Sequence, residues 1–158
     1  MVGNNPINRF DPFGLTGCDD FIKTLVRSFT AAGNRDALGD EMLGKMHNRF
    51  RDYTGFKPEL IAGGQNAGVM NHIYGHGGAI VKYGLLGYFG SLYNQGLDWS
   101  ELRFGNRPLE KTAEIADDRA GREVGMELLR AFARRSEGGC QTKQANILNT
   151  NLHNILCQ

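Results

Sequence analysis

Between Ile61 and Leu97 the chain carries ten glycines and a single charged side chain, Lys82. A glycine inside a helix costs about 0.5 to 1 kcal/mol relative to alanine, so an ordinary core helix does not accumulate them. Close approach offsets that cost, because a face without Cβ atoms admits a second backbone or a ligand. Within the stretch stands Asn71-His72-Ile73-Tyr74-Gly75-His76, followed by Gly77 and Gly78. On a helix, His72 and His76 are four residues apart and share one face. Three uses compete for such a segment: a buried catalytic or metal-binding helix, a glycine-rich membrane-inserting segment, and a tightly packed structural helix in which both histidines are satisfied core groups.

The rest of the chain sets the frame. Its 158 residues suffice for one domain with a substantial core, without disulfides or a metal as a folding requirement. A net charge of +1 leaves no global basic field to point to nucleic acid; Arg130, Arg134 and Arg135 give one local basic edge. No N-terminal run has the basic, apolar and small-residue order of a signal peptide, so self-directed export by that route is not expected. Cys18, Cys140 and Cys157 lack any C-x-x-C spacing, which argues against a zinc knuckle. One pair can close in an oxidising compartment, and a bridge between the two ends of the globular part is one arrangement. Cys140 follows Glu137-Gly-Gly with no histidine close in sequence and reads as a free thiol rather than a nucleophile.

Apolar periodicity is helical almost throughout. Asp19 or Asp20 is placed to cap a helix bearing Phe21, Ile22, Leu25, Val26 and Phe29, which Gly33 stops. A second starts near Asn34 or Asp36, carries Leu38, Met42, Met46, Phe50 and Tyr53, and ends at Thr54-Gly55. After a connector from Pro58 to Gly64, the glycine-rich stretch reads as one helix to about Gly78 and another to about Tyr93. Asp98-Trp-Ser-Glu101 reads as a short capped turn. A long helix follows from Leu109, with Ala113, Ala116, Ala120, Val124, Leu128 and Phe132 on one stripe, ending at Gly138-Gly139. The last packs Ile147, Leu148, Leu152, Ile155 and Leu156. No strand pair with a turn signal stands out. The fold class expected is all-α, a compact bundle of about five to six helices around a glycine-rich central helical region.

The long helix holds a second polar set, Glu114, Asp118 and Arg122, one turn apart, beside Gly121 and Gly125. Small residues there let another helix dock where the acids and the guanidinium project. If that helix is the one carrying His72 and His76, two imidazoles face two carboxylates and an arginine. Such a pocket suits general acid/base hydrolysis by His72, His76, Glu114, Asp118 and Arg122, or a divalent metal ion held by His72, His76 and Asp118. Asp118 and Arg122 equally suit an ordinary i, i+4 ion pair on a solvated face. Ile73 stands where the zinc-protease pattern H-E-x-x-H has its glutamate, so that pattern is absent.

Residues 2–15 read as the end of something rather than the start. Asn5-Pro6 and Asp11-Pro12, then Gly14, make successive turns that resist helix and strand. Asn5-Pro-Ile-Asn-Arg-Phe-Asp-Pro-Phe-Gly-Leu15 resembles the N-P-x-x-x-x-D-P-x-G-L segment closing the shell of Rhs or YD-repeat proteins. That resemblance implies that residues 1–15 are the tail of the repeat core, that Asp11 matches the motif's aspartate, and that self-cleavage after Leu15 frees residues 16–158 as a toxin domain. The stretch from Asn71 to Gly125 is similar to helical Rhs-associated toxin domains with an N-A-x-x-H-like helix and a later D-x-x-x-N-x-x-G-R-x-x-G helix. His76, Gly121, Arg122 and Gly125 match, while His72, Glu114 and Asp118 stand at the other positions.

What the resemblance implies is an effector used in interbacterial competition or against host cells, of the type VI secretion kind, and neutralised by a cognate immunity protein. Within that frame the expected activity is hydrolytic. Nucleic acid is the default substrate, and a periplasmic peptidoglycan or lipid hydrolase is an alternative that an oxidised cysteine pair would favour. A membrane-active pore-former is the rival, since Ala62 to Ile80 holds no formal charge and Gly64-x-x-x-Gly68 has helix-packing spacing. Against it, Gln65, Asn66, Asn71, His72 and His76 are costly in lipid.

Overall fold

The computed structural model describes residues 17–46, 52–62, 68–104 and 108–158. Residues 1–15, with Asp11, Leu15 and the expected junction, lie outside the described residues, as do Phe50 and Gly64. The described chain is all-α: α1 (Gly17–Ala31), α2 (Arg35–Lys45), a 3-10 turn (Pro58–Leu60), α3 (Val69–His72), a π-helical turn (Ile73–Gly77), α4 (Gly78–Tyr83), α5 (Leu85–Phe104), α6 (Pro108–Ser136) and α7 (Gln141–Leu156). Since α3, the π turn and α4 run on without a break, they form one composite helix, which gives six in all among the described residues.

Local chemistry accounts for the ends. Asn34 caps α2, its side chain accepting from the Ala37 N–H at 2.9 Å. The start of α1 departs from expectation: Asp19 and Asp20 lie inside the first turn, where they suit the helix dipole. The orphan N–H groups are met instead by Thr54, whose hydroxyl accepts from Gly17 at 3.0 Å and whose carbonyl accepts from Cys18 at 2.9 Å. α2 stops at Lys45, so Tyr53 is not on its stripe; it sits half-buried in the following loop, next to a turn in which Asp52 accepts from the backbone and hydroxyl of Thr54.

Two further boundaries differ from the sequence reading. The break falls at Gly84, whose φ of +61° is a conformation other residues rarely adopt, and not at Gly78, which opens α4. Asp98-Trp-Ser-Glu101 belongs to α5, because no proline or glycine from Leu97 to Phe104 interrupts the helix.

α6 is the axis of the bundle, packing against α5, α7, α4 and the π turn. Val124, Leu128 and Ala131 on its inner stripe are fully buried. α1 contributes Phe21, which meets Tyr74 edge-on at 5.3 Å and Phe56 at 5.9 Å. Where α6 crosses the π turn, backbones touch. A Cβ on Gly121 would stand 2.7 Å from the His72 carbonyl oxygen, and one on Gly125 would stand 3.0 Å from Cα of Gly77.

The two ends of the described chain are tied together. Cys18 in the first turn of α1 is disulfide-bonded to Cys157 just past α7. Beside the bridge, Lys57 N–H donates to Leu156 and Gln158 N–H to Gly55, at 2.9 and 3.0 Å.

Candidate functional site

The close crossing of α6 over the π turn puts the two polar sets in contact. Asp118 Oδ1 lies 2.5 Å from His72 Nδ1 and 2.8 Å from His76 Nε2. The carboxylate is buried, with 1% of its side chain exposed, while the histidine side chains are 28% and 14% exposed. The trio therefore runs from a sealed acid to imidazoles that reach solvent. The rings stack at 5.8 Å with 26° between their planes. They open on a groove of about 340 Å³ lined by Met46, Asn71, His72, Gly75, His76 and Asn94.

Burial by itself raises the Asp118 pKa, but hydrogen bonds from both imidazoles, and their charge when protonated, hold its carboxyl well below the usual range. An ionised carboxylate only accepts, so each facing ring nitrogen carries a hydrogen. That fixes the tautomers, leaving Nε2 of His72 and Nδ1 of His76 as the proton-accepting atoms.

The same three groups form a metal-ligand set, with one atom from each within 4.8 Å of the others. Two imidazoles and a carboxylate suit zinc chemically. With no ion between them, two of these nitrogens contact the oxygen at hydrogen-bond range. In this arrangement the trio is a hydrogen-bonded cluster. A second group, Asp19, His153 and Cys157, is also close, but the disulfide occupies its sulfur.

Arg122 takes another part than an ion pair with Asp118. The buried Arg122 donates to Ser91 Oγ at 3.3 Å and to Gln95 Oε1, tying α6 to α5. Glu114, half-buried one turn before Asp118, raises the pKa of Asp117 by its charge. The basic edge is also engaged within the fold. Arg130 pairs with Glu127, Arg134 donates to Gln144 at 2.8 Å, and Arg135 donates to the carbonyls of Phe29 and Ala32 at 3.4 and 3.0 Å.

Sequence reasoning missed Asp117, which is fully buried with neither carboxylate oxygen hydrogen-bonded among the described residues. The signal was in the spacing: Ala113, Asp117, Ala120 and Val124 fall on one helical stripe. Burial first, then the charges of Asp118 and Glu114, push its pKa up to about 9. Because this folded value exceeds the unfolded one, stability is complete below about pH 4 and is lost as pH rises toward 9. Asp117→Asn is expected to flatten that slope, gaining on the order of 4 kcal/mol on the parent between pH 5 and 8. Melting curves across that range check it, and parallel pH profiles for the two proteins would refute it.

No known protein family, curated protein or solved structure matches this chain.

Proposed function

We propose that residues 16–158 are an effector toxin released from an Rhs shell, acting as a hydrolase through His72, His76 and Asp118 and neutralised by a cognate immunity protein. The observation that carries the hydrolytic part is one buried carboxylate oxygen bonded to two imidazoles at the edge of an open groove. The chemistry is proton transfer. A ring nitrogen not bonded to Asp118 takes a proton from water as it attacks, and the resulting imidazolium, stabilised by Asp118, returns one to the leaving group. Asn94, which lines the same groove, is the amide we assign to meet charge developing on the attacked group.

The Cys18–Cys157 bridge favours a target in an oxidising compartment such as the periplasm, hence a cell-wall or lipid substrate. The nuclease expectation comes from the resemblance, and the local basic edge of Arg130, Arg134 and Arg135 lends it little, since their guanidiniums make bonds within the fold. As to a pore, no described helix is long and apolar enough to cross a membrane. Expressing residues 16–158 with and without an added export signal tests the compartment. The expected result is killing only on export, and killing from the cytoplasm alone would return the proposal to a nuclease.

A further inference from the structure

α5 is built inside out. Toward the protein it turns Gly87, Ser91 and Gln95; toward solvent it turns Leu85, Leu86, Phe89 and Tyr93, exposed by 71, 79, 62 and 70%. Tyr83, Leu92 and Leu97 extend the same surface. The inward side is dictated by the fold. A Cβ on Gly87 would stand 2.2 Å from the Ala79 carbonyl oxygen, so only glycine allows α5 to lie on α4, while Ser91 and Gln95 receive Arg122. Nothing in that packing calls for leucine or phenylalanine outside. Soluble monomers rarely leave so continuous an apolar face without an occupant.

We infer that this face docks on a phospholipid bilayer and delivers an ester-bearing lipid to the histidine groove; the inference rests on the hydrolase reading above and names its substrate class. Three features select lipid over a protein partner or a second copy. From Gly84 to Leu97 there is no charged residue, which matches an acyl layer. Tyrosines flank the leucines and phenylalanine at Tyr83 and Tyr93, the kind of side chain that sits at the headgroup level. The helix that bears the face also borders the site, since Asn94 of α5 lines the groove that holds His72 and His76. With no described helix able to span a bilayer, α5 lies in the plane of the interface.

The reaction balances as hydrolysis. Water adds to the ester carbonyl carbon while its proton passes to an imidazole; the carbon–oxygen bond to the alcohol breaks, and the alcohol leaves with the proton from the imidazolium. One water is consumed, and a fatty acid and a lyso-lipid are released.

The test compares the parent with Leu86→Asp/Phe89→Asp, and with Leu86→Gln/Phe89→Gln to separate loss of the apolar face from added charge. Cosedimentation with phosphatidylethanolamine/phosphatidylglycerol vesicles reads binding. Hydrolysis is read on the same vesicles and on monomeric dibutyryl-phosphatidylcholine. Both variants are expected to bind vesicles at least about 100-fold more weakly, to lose vesicle hydrolysis in proportion, and to cleave the monomeric ester at the parental rate. No vesicle binding by the parent, equal binding by the variants, or a parental dimer that the variants convert to monomer overturns the docking inference. Docking that depends on Leu86 and Phe89 with neither ester cleaved upholds the face and overturns the hydrolase reading.

Discussion

Asp118→Asn is expected to reduce killing by the exported protein about 100-fold or more, the usual scale for loss of an oriented acid/base group. Asparagine keeps the shape but removes the charge that fixes both imidazole tautomers and stabilises an imidazolium. Stability should change much less, by about 1 to 3 kcal/mol for a buried hydrogen-bonding group. The two effects separate further with pH. A depressed carboxyl contributes stability above its unfolded pKa, near 3.8, and loses it as pH falls through the folded value, so the parent should lose more than the variant on acidification below about pH 4. Colony counts and thermal melts at matched expression measure both. Killing at the parental level would remove Asp118 from the chemistry.

Reduction of the Cys18–Cys157 bridge is expected to have the largest effect on stability. The two cysteines are 139 residues apart, so the bridge closes nearly the whole domain into a loop in the unfolded chain. Chain-entropy reasoning gives about 4 to 5 kcal/mol for such a loop, which for a domain of this size is on the order of 10 °C in melting temperature. A Cys18→Ser/Cys157→Ser protein should melt that much lower, with Cys140→Ser, an exposed free thiol, as the neutral control. A shift under about 2 °C would mean that the hydrogen bonds of Lys57 and Gln158 already fix the ends.

The helical architecture was legible because long apolar stripes such as Val124 and Leu128 on α6 have one period and one burial face. The convergence of His72 and His76 with Asp118 was legible for a different reason. Gly77, Gly121 and Gly125 are affordable only where backbones meet, and they stand beside the polar groups that the crossing brings together. What sequence could not give is the direction of a long side chain. Arg122 sits one turn from Asp118 yet reaches α5, a choice made by Ser91 and Gln95, roughly thirty residues away in sequence. Capping by Thr54 across 37 residues is likewise a tertiary event that hides behind the acids at Asp19 and Asp20. The π turn has only a faint trace in its glycines, although such turns recur where function needs a widened helix. In sequence the inverted polarity of α5 shows only as low charge, because what fixes its inward face is a tertiary contact, that of Gly87 with Ala79.

On the proposed function, harm to a target cell runs through the imidazoles held by Asp118. The most direct measurement is survival of cells expressing exported parent or His76→Ala at equal levels, with circular dichroism confirming that both are folded. Killing by the parent and survival with His76→Ala is the predicted result; equal killing by both would contradict it.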